Sequence, residues 1–248
     1  MTKRTEHNLK LGIRGAYENL KHAYDEIKEA NMEMIFRMAV VAESRDVSTG
    51  VHLVRIADYS AIIAEEMGLS EKEVDTIRHA SPLHDIGKIT LPDSILKKKG
   101  KLTSEERYIM MKHPEAGARI FANSKTPIMR ACELVALTHH ERFDGKGYPR
   151  GLKGEQIPLY GRIVSLADCF DAFTSKRSYK KAFGFDKSVS MVLERAGTHF
   201  DPAVVMAFMR NKEKIKRTWE ANRDIEQFLM DAGLSHEAPP HIAIRKGG

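Results

Sequence analysis

A chain of 248 residues, 42% hydrophobic and 30% charged, is long enough to bury one core of about 200 residues with an appendage to spare. Its net charge of +6 suits a phosphate-bearing ligand without pointing to a nucleic-acid polymer. Two cysteines, Cys132 and Cys169, form no CxxC pair, which fits a reducing compartment and no disulfide framework. The opening MTKRTEHNLK leads into no apolar stretch and MAVVA at 38–42 is far too short for a membrane span, so a cytoplasmic protein that does not enter a membrane is expected.

Residues 8–43 contain no proline and read as one long helix. Tyr17, Leu20, Tyr24, Ile27, Asn31, Met34 and Met38 alternate in steps of three and four, an a/d seam with Asn31 at an a position. Two readings stay open at this point: a dimerisation helix, or an amphipathic helix lying on its own domain. A second helix runs from Val51 to Gly68. Ser70 with Glu73 forms a capping box that opens a third helix, expected to reach the His84–Asp85 pair and end near Gly87. Thr103 with Glu106 opens another, running up to His113, and shorter helices follow at 114–122 and 127–138. The glycine- and proline-rich stretch 143–158 reads as an ordered loop. Helices at 160–175, 186–196 and 201–230 complete the pattern, ahead of a frayed tail. The fold class is all-α. A helical lead (1–42), a bundle domain (43–234) with one long functional loop, and a flexible tail (235–248) are expected.

Candidate metal ligands recur along this bundle: His52, His84, Asp85, His113, His139, His140 and Asp168. The intervals 52 to 84, 85 to 113, 113 to 139 and 140 to 168 are 32, 28, 26 and 28 residues, about one helix plus its connection each. Five imidazoles and two carboxylates form the mixed N/O set that suits iron, manganese or zinc. Neighbours on a helix point about 100° apart, so the adjacent pairs His84–Asp85 and His139–His140 can share a pocket most easily at helix ends. Asp85, with two oxygens, is the natural bridging ligand. The lone His79 and His199 read as ordinary surface or core residues, and Cys169 as core.

The segments ESRDVSTGVHLVR, LHDIGKITLPDSIL, HHERFDGKGYPRGLKGEQIPL, RIVSLADCFDAFTSKRSYK and FDPAVV, in this order across residues 43–210, resemble the HD-GYP domains. These are a branch of the HD-domain metal-dependent phosphohydrolases. The resemblance implies an HD-type helical bundle and a metal centre held by the seven ligands above. It also implies hydrolysis of the bacterial second messenger cyclic di-GMP to pGpG or GMP. On the same basis Lys88 touches substrate phosphate and is held by Asp171, while Arg177 and Lys180 grip the scissile phosphates. Gly147, Tyr148 and Pro149 match the namesake motif. Ser178 stands where the family usually has proline. Trinuclear members carry a glutamate four residues before the first histidine ligand, where this chain has Ser48. Glu43 and Asp46 match other positions, as helix caps or supports for ligands, so two ions per chain, iron or manganese, are expected.

Phosphodiester hydrolysis needs a nucleophile at neutral pH, and two metals about 3.5–4 Å apart can present a bridging hydroxide. Asp85, Lys88 and Asp171 are the expected catalytic set. Lys88, Arg177, Lys180 and Tyr148 are the expected substrate contacts, Tyr148 either stacking on guanine or pinning the loop. Rival readings are a phosphodiesterase for another cyclic dinucleotide, such as cyclic GMP-AMP, or a non-catalytic receptor. Expected partners are cyclic di-GMP, a second copy through the N-terminal helix, and a signalling protein or diguanylate cyclase at the GYP loop.

Overall fold

The computed structural model describes residues 3–43, 45, 50–175 and 182–231, and among these there is no strand, as the all-α reading requires. Arg177, Lys180, Ser48 and the expected tail lie outside the described residues. The α-helices are α1 (Lys3–Glu43), α2 (Gly50–Glu66), α3 (Glu71–Ala80), α4 (Asp93–Leu96), α5 (Ser104–Met110), α6 (His113–Phe121) and α7 (Pro127–Thr138). After the long loop come α8 (Leu159–Thr174), α9 (Phe185–Leu193), α10 (Pro202–Arg210) and α11 (Lys212–Asp231).

Helix α2 is the central post. It packs against α3, α8, α10 and α11, with Leu53, Ile56, Tyr59 and Ile63 fully buried along its length. Phe170 of α8 and Phe208 of α10 meet edge to face beside it, ring centroids 4.9 Å apart. Both expected capping boxes form: Ser70 and Thr103 accept from the backbone of Glu73 and Glu106, whose carboxylates reach back.

Three expected elements differ. The third helix stops at Ala80, because Pro82 has no N–H to continue the ladder, and the chain tightens into two 3-10 turns, Ser81–Leu83 and Ile86–Thr90. The helix expected to reach His113 breaks after Met110, so His113 instead opens α6, with Pro114 in its first turn. The helix expected over 201–230 is two, parted at Asn211 (φ −105°, ψ 18°).

Helix α1 carries two different apolar stripes. Ile35, Phe36, Ala39 and Ala42 are buried against the domain. The seam residues Tyr17, Leu20, Tyr24, Ile27, Met34 and Met38 stay between 43% and 70% exposed. The domain-facing stripe is therefore not the a/d seam.

Candidate metal centre

Local backbone geometry first sets the ligands apart. His84 keeps helical dihedrals (φ −54°, ψ −39°), whereas Asp85 sits in the bridge region (φ −100°, ψ 9°), so the adjacent side chains diverge around one pocket. His139 and His140 follow the last turn of α7, and Asp168 lies on α8. Close backbone packing brings the stretches together. A Cβ on Gly87 would lie 2.5 Å from the Gly117 nitrogen, so only glycine lets the 3-10 turn after Asp85 press against α6 behind His113.

The histidines are oriented from behind. Nδ1 of His84 lies 2.9 Å from the Ser81 carbonyl, that of His113 2.8 Å from Met110, and that of His139 3.0 Å from Ala136. A carbonyl only accepts, so each Nδ1 carries the proton and each Nε2 turns a lone pair inward. His52 is backed by a carboxylate, its Nδ1 2.9 Å from Asp171 Oδ2. This is the arrangement that fixes metal-binding imidazoles elsewhere.

Acceptors then converge. Nε2 of His113 and of His139 are 3.3 Å apart, and they lie 3.0 and 3.5 Å from Asp85 Oδ1. Asp85 Oδ2 is 3.3 Å from His84 Nε2, which is 3.8 Å from Asp168 Oδ1. Ligand atoms of Asp85, His113, His139 and His140 all fall within 4.8 Å of one another, as do those of Glu43, His52 and His84. Buried Asp85 Oδ1, His84 Nε2 and Glu43 Oε2 have no hydrogen-bond partner among the described residues. Inward lone pairs, converging carboxylates and orphaned buried oxygens fit divalent cations, which satisfy all of them at once. The donor set matches the group that the sequence implied.

Burial and neighbouring charges move the ionisation of these side chains in opposite directions. Burial disfavours the charged form of His52, but the hydrogen bond to Asp171 and the nearby Glu43 carboxylate outweigh it and lift its pKa to about 10. Burial also opposes ionisation of Asp85, yet the Lys88 and His84 charges beside it hold its carboxyl well below the usual range. His139 and His140 go the other way, burial pushing both down and the neighbouring imidazoles pushing His140 further.

The seven residues singled out in the sequence thus lie in two neighbouring groups, with Asp85 and Asp168 both beside His84. Lys88 joins them, its Nζ 2.8 Å from Asp85 Oδ2 and 3.7 Å from Glu43 Oε1. Asp171 stands elsewhere than expected. Its carboxylate accepts from Arg55 and Ser175 and backs His52, so Lys88 is held by Asp85 and Glu43 instead. The reason is three-dimensional: α2 crosses α8 there, and buried Arg55 takes the charge of Asp171. Tyr148 stacks on His140 (centroids 4.7 Å apart, planes at 29°), closing one wall of the pocket. His79 bonds the Asp75 carbonyl and His199 stacks on Phe200, both away from the clusters, and half-buried Cys169 faces His199.

Three residues escaped the sequence reading. Glu43, expected as a cap or support, ends α1 and faces His52 and Lys88. Arg55 is only 2% exposed; its place one turn after His52 was the available signal. Glu141, also buried, accepts from the backbone N–H of Arg150 (2.8 Å) and Leu152 (3.0 Å), tying the loop to the end of α7. Its position directly after two ligands was the clue.

The HD domain family model matches residues 32–204 of this chain. A cyclic di-GMP phosphodiesterase response regulator of Xanthomonas campestris is 42% identical over 81% of this chain and 53% of its own length. A 3'3'-cGAMP-specific phosphodiesterase of Vibrio cholerae is 43% identical, covering 76% of this chain and 36% of the relative. A cyclic di-GMP phosphodiesterase of Thermotoga maritima is 42% identical, covering 88% and 59%. The chain therefore spans about half the length of the curated relatives it matches. Among solved structures, a cyclic GMP-AMP specific phosphodiesterase of V. cholerae superposes with a TM-score of 0.52 at 22% identity, over 79% of this chain and 53% of that one, and shares its fold. Matched over most of its length, with the ligand-bearing helices in place, this chain belongs to the HD-domain family.

Proposed function

We propose that this chain is a cytoplasmic, metal-dependent phosphodiesterase that hydrolyses cyclic di-GMP to pGpG or GMP. The observation that carries the reading is Asp85, one carboxylate whose two oxygens face two different histidine groups. In this reading His52, His84 and Asp168 would hold one divalent ion and His113, His139 and His140 another, iron or manganese, with Asp85 placed between the two groups. When bound, such ions supply Lewis-acid charge and lower the pKa of water. The similarity to relatives named as cyclic dinucleotide phosphodiesterases supports the substrate class.

The chain's own residues do the rest. Half-buried Lys88 sits beside Asp85, where its ammonium can meet a non-bridging phosphoryl oxygen and offset the charge that builds there. Arg177 and Lys180 bind the second phosphate, Arg177 through its planar fork. Tyr148 and the loop tied down by Glu141 wall the site and exclude water. Asp171 acts through His52, holding the imidazole that faces the metal rather than touching substrate.

The bundle domain (43–234) works as a homodimer joined by α1. Its seam is uncovered by the domain and repeats in the steps of three and four that a two-stranded coil buries. The turn at 147–149 offers a surface to a signalling partner such as a diguanylate cyclase. No helix among the described residues is long and apolar enough to cross a membrane, which agrees with a cytoplasmic site of action.

A second reading has its own support. A relative of equal similarity is named as specific for 3'3'-cGAMP. Protein purified without chelator, assayed on cyclic di-GMP and cyclic GMP-AMP beside an Asp85→Ala control, separates the two. Hydrolysis of cyclic di-GMP that the control loses supports the first reading, and preference for cyclic GMP-AMP the second. A metal-loaded protein that binds either nucleotide without cleaving it is a receptor, and the enzyme reading then fails.

A further inference from the structure

We infer that Glu43 is a direct ligand of a divalent cation, binding it together with His52 and His84; the inference rests on the metal-centre reading above. Glu43 is the last residue of α1 and 5% exposed, so its carboxylate has left water. A carboxylate in that position needs hydrogen bonds or a cation to offset desolvation. No hydrogen bond to another described residue supplies this, and the ion pair with Lys88 is a loose one. Oε1 lies 3.7 Å from both His52 Nε2 and Lys88 Nζ, and buried Oε2 has no hydrogen-bond partner among the described residues.

The two histidines present the complementary deficit. His84 donates backward from Nδ1 to Ser81, and its buried Nε2, 3.3 Å from Asp85 Oδ2, has no hydrogen-bond partner among the described residues. His52 has its Nδ1 against Asp171, which leaves Nε2 as the atom facing Glu43. One carboxylate oxygen and two imidazole nitrogens, mutually within 4.8 Å, are three protein ligands of the N/O type that borderline divalent ions take. They form a group separate from that of Asp85, His113, His139 and His140. The alternative is that Glu43 serves only as the counter-ion of Lys88. Yet Lys88 already has a closer carboxylate in Asp85, at 2.8 Å against 3.7 Å.

The test is a metal titration of the full chain. Wild type, Glu43→Gln and Lys88→Met are stripped with chelator, titrated with Mn²⁺ and counted for bound ion, and the melting temperature of each metal-free form is recorded. Glutamine keeps the shape and a weak oxygen donor but loses the charge. The expected result is one ion fewer in Glu43→Gln, or binding of that ion weakened on the order of 100-fold. Its metal-free melting temperature stays at the wild-type value, and Lys88→Met keeps every ion. Unchanged ion count and affinity in Glu43→Gln overturn the inference while leaving the metal centre intact. A wild type that binds no Mn²⁺, Fe²⁺ or Zn²⁺ overturns the metal-centre reading itself. Should Glu43→Gln fail to fold, Glu43→Asp retains charge on a shorter arm, and an unweakened ion there overturns the inference equally.

Discussion

Asp171 Oδ2 lies 2.9 Å from His52 Nδ1, while Oδ1 of the same carboxylate accepts from the Nε of Arg55. One buried anion therefore both neutralises a buried guanidinium and aims an imidazole at the pocket. Arg55 is further bonded to Ser175 Oγ at 2.8 Å, so α2 and α8 are joined at the level of the ligands.

Breaking this link has two separable effects. Arg55→Met leaves a buried carboxylate with less compensation and should cost about 3–5 kcal/mol of stability, read from urea unfolding. Asp171→Asn should weaken metal binding about 10–100-fold, because His52 loses the partner that sets its tautomer and angle. A loss of stability in Asp171→Asn with unaltered metal affinity would show that Asp171 serves packing alone.

Glu141 predicts a different failure. Its two backbone hydrogen bonds are charge-assisted, and each is worth about 1.5–3 kcal/mol. Glu141→Ala should release the loop at Arg150 and Leu152 while sparing the ligands. Amide exchange at those two residues should accelerate and KM for the dinucleotide should rise, with the ion count unchanged.

Gly87→Ala tests the close approach behind the site. A methyl there would stand 2.5 Å from the Gly117 nitrogen and 2.9 Å from the His113 carbonyl carbon. Both are backbone atoms, so the turn and α6 must separate. The expected cost is at least about 1–3 kcal/mol, with His113 drawn away from Asp85 and metal retention reduced. Normal melting and a full ion complement would contradict the packing argument.

Chelation should destabilise the whole domain, since the clustered acceptors lose their shared cations. An ion present at about 100 times its Kd contributes about 2.7 kcal/mol. Thermal melting with and without chelator measures this, and readdition of Mn²⁺ or Fe²⁺ should restore it. A melting curve indifferent to chelator would count against ions held by this core.

Asn31 addresses the seam. It lies exposed on α1 between Tyr24 and Met38, at the position where a buried polar residue specifies register in a two-stranded coil. Asn31→Leu should raise the melting temperature of the assembly and allow higher oligomers, seen by light scattering. Identical mass and melting would argue that the seam has no partner copy.

By itself the sequence determined the helical class, most helix limits, both capping boxes and the histidines and aspartates that the fold brings near one another. Each of these is written locally, in periodicity, in Ser/Thr-x-x-Glu spacing, or in residue types whose chemistry is distinctive. Tertiary structure decided what depends on a crossing of elements far apart in the chain. Asp171 was legible as a carboxylate near Asp168, but only the crossing of α2 and α8 gives it to Arg55 and His52 rather than to Lys88. Glu43 was legible as the end of a helix, but only folding brings it beside His52 and Lys88. The apolar faces of α1 were likewise visible as pattern, and packing alone assigns Ile35, Phe36, Ala39 and Ala42 to the core and leaves the seam in water. Burial is the common reason: a charged side chain taken out of water must find its partner in space, and sequence order does not say which partner is near.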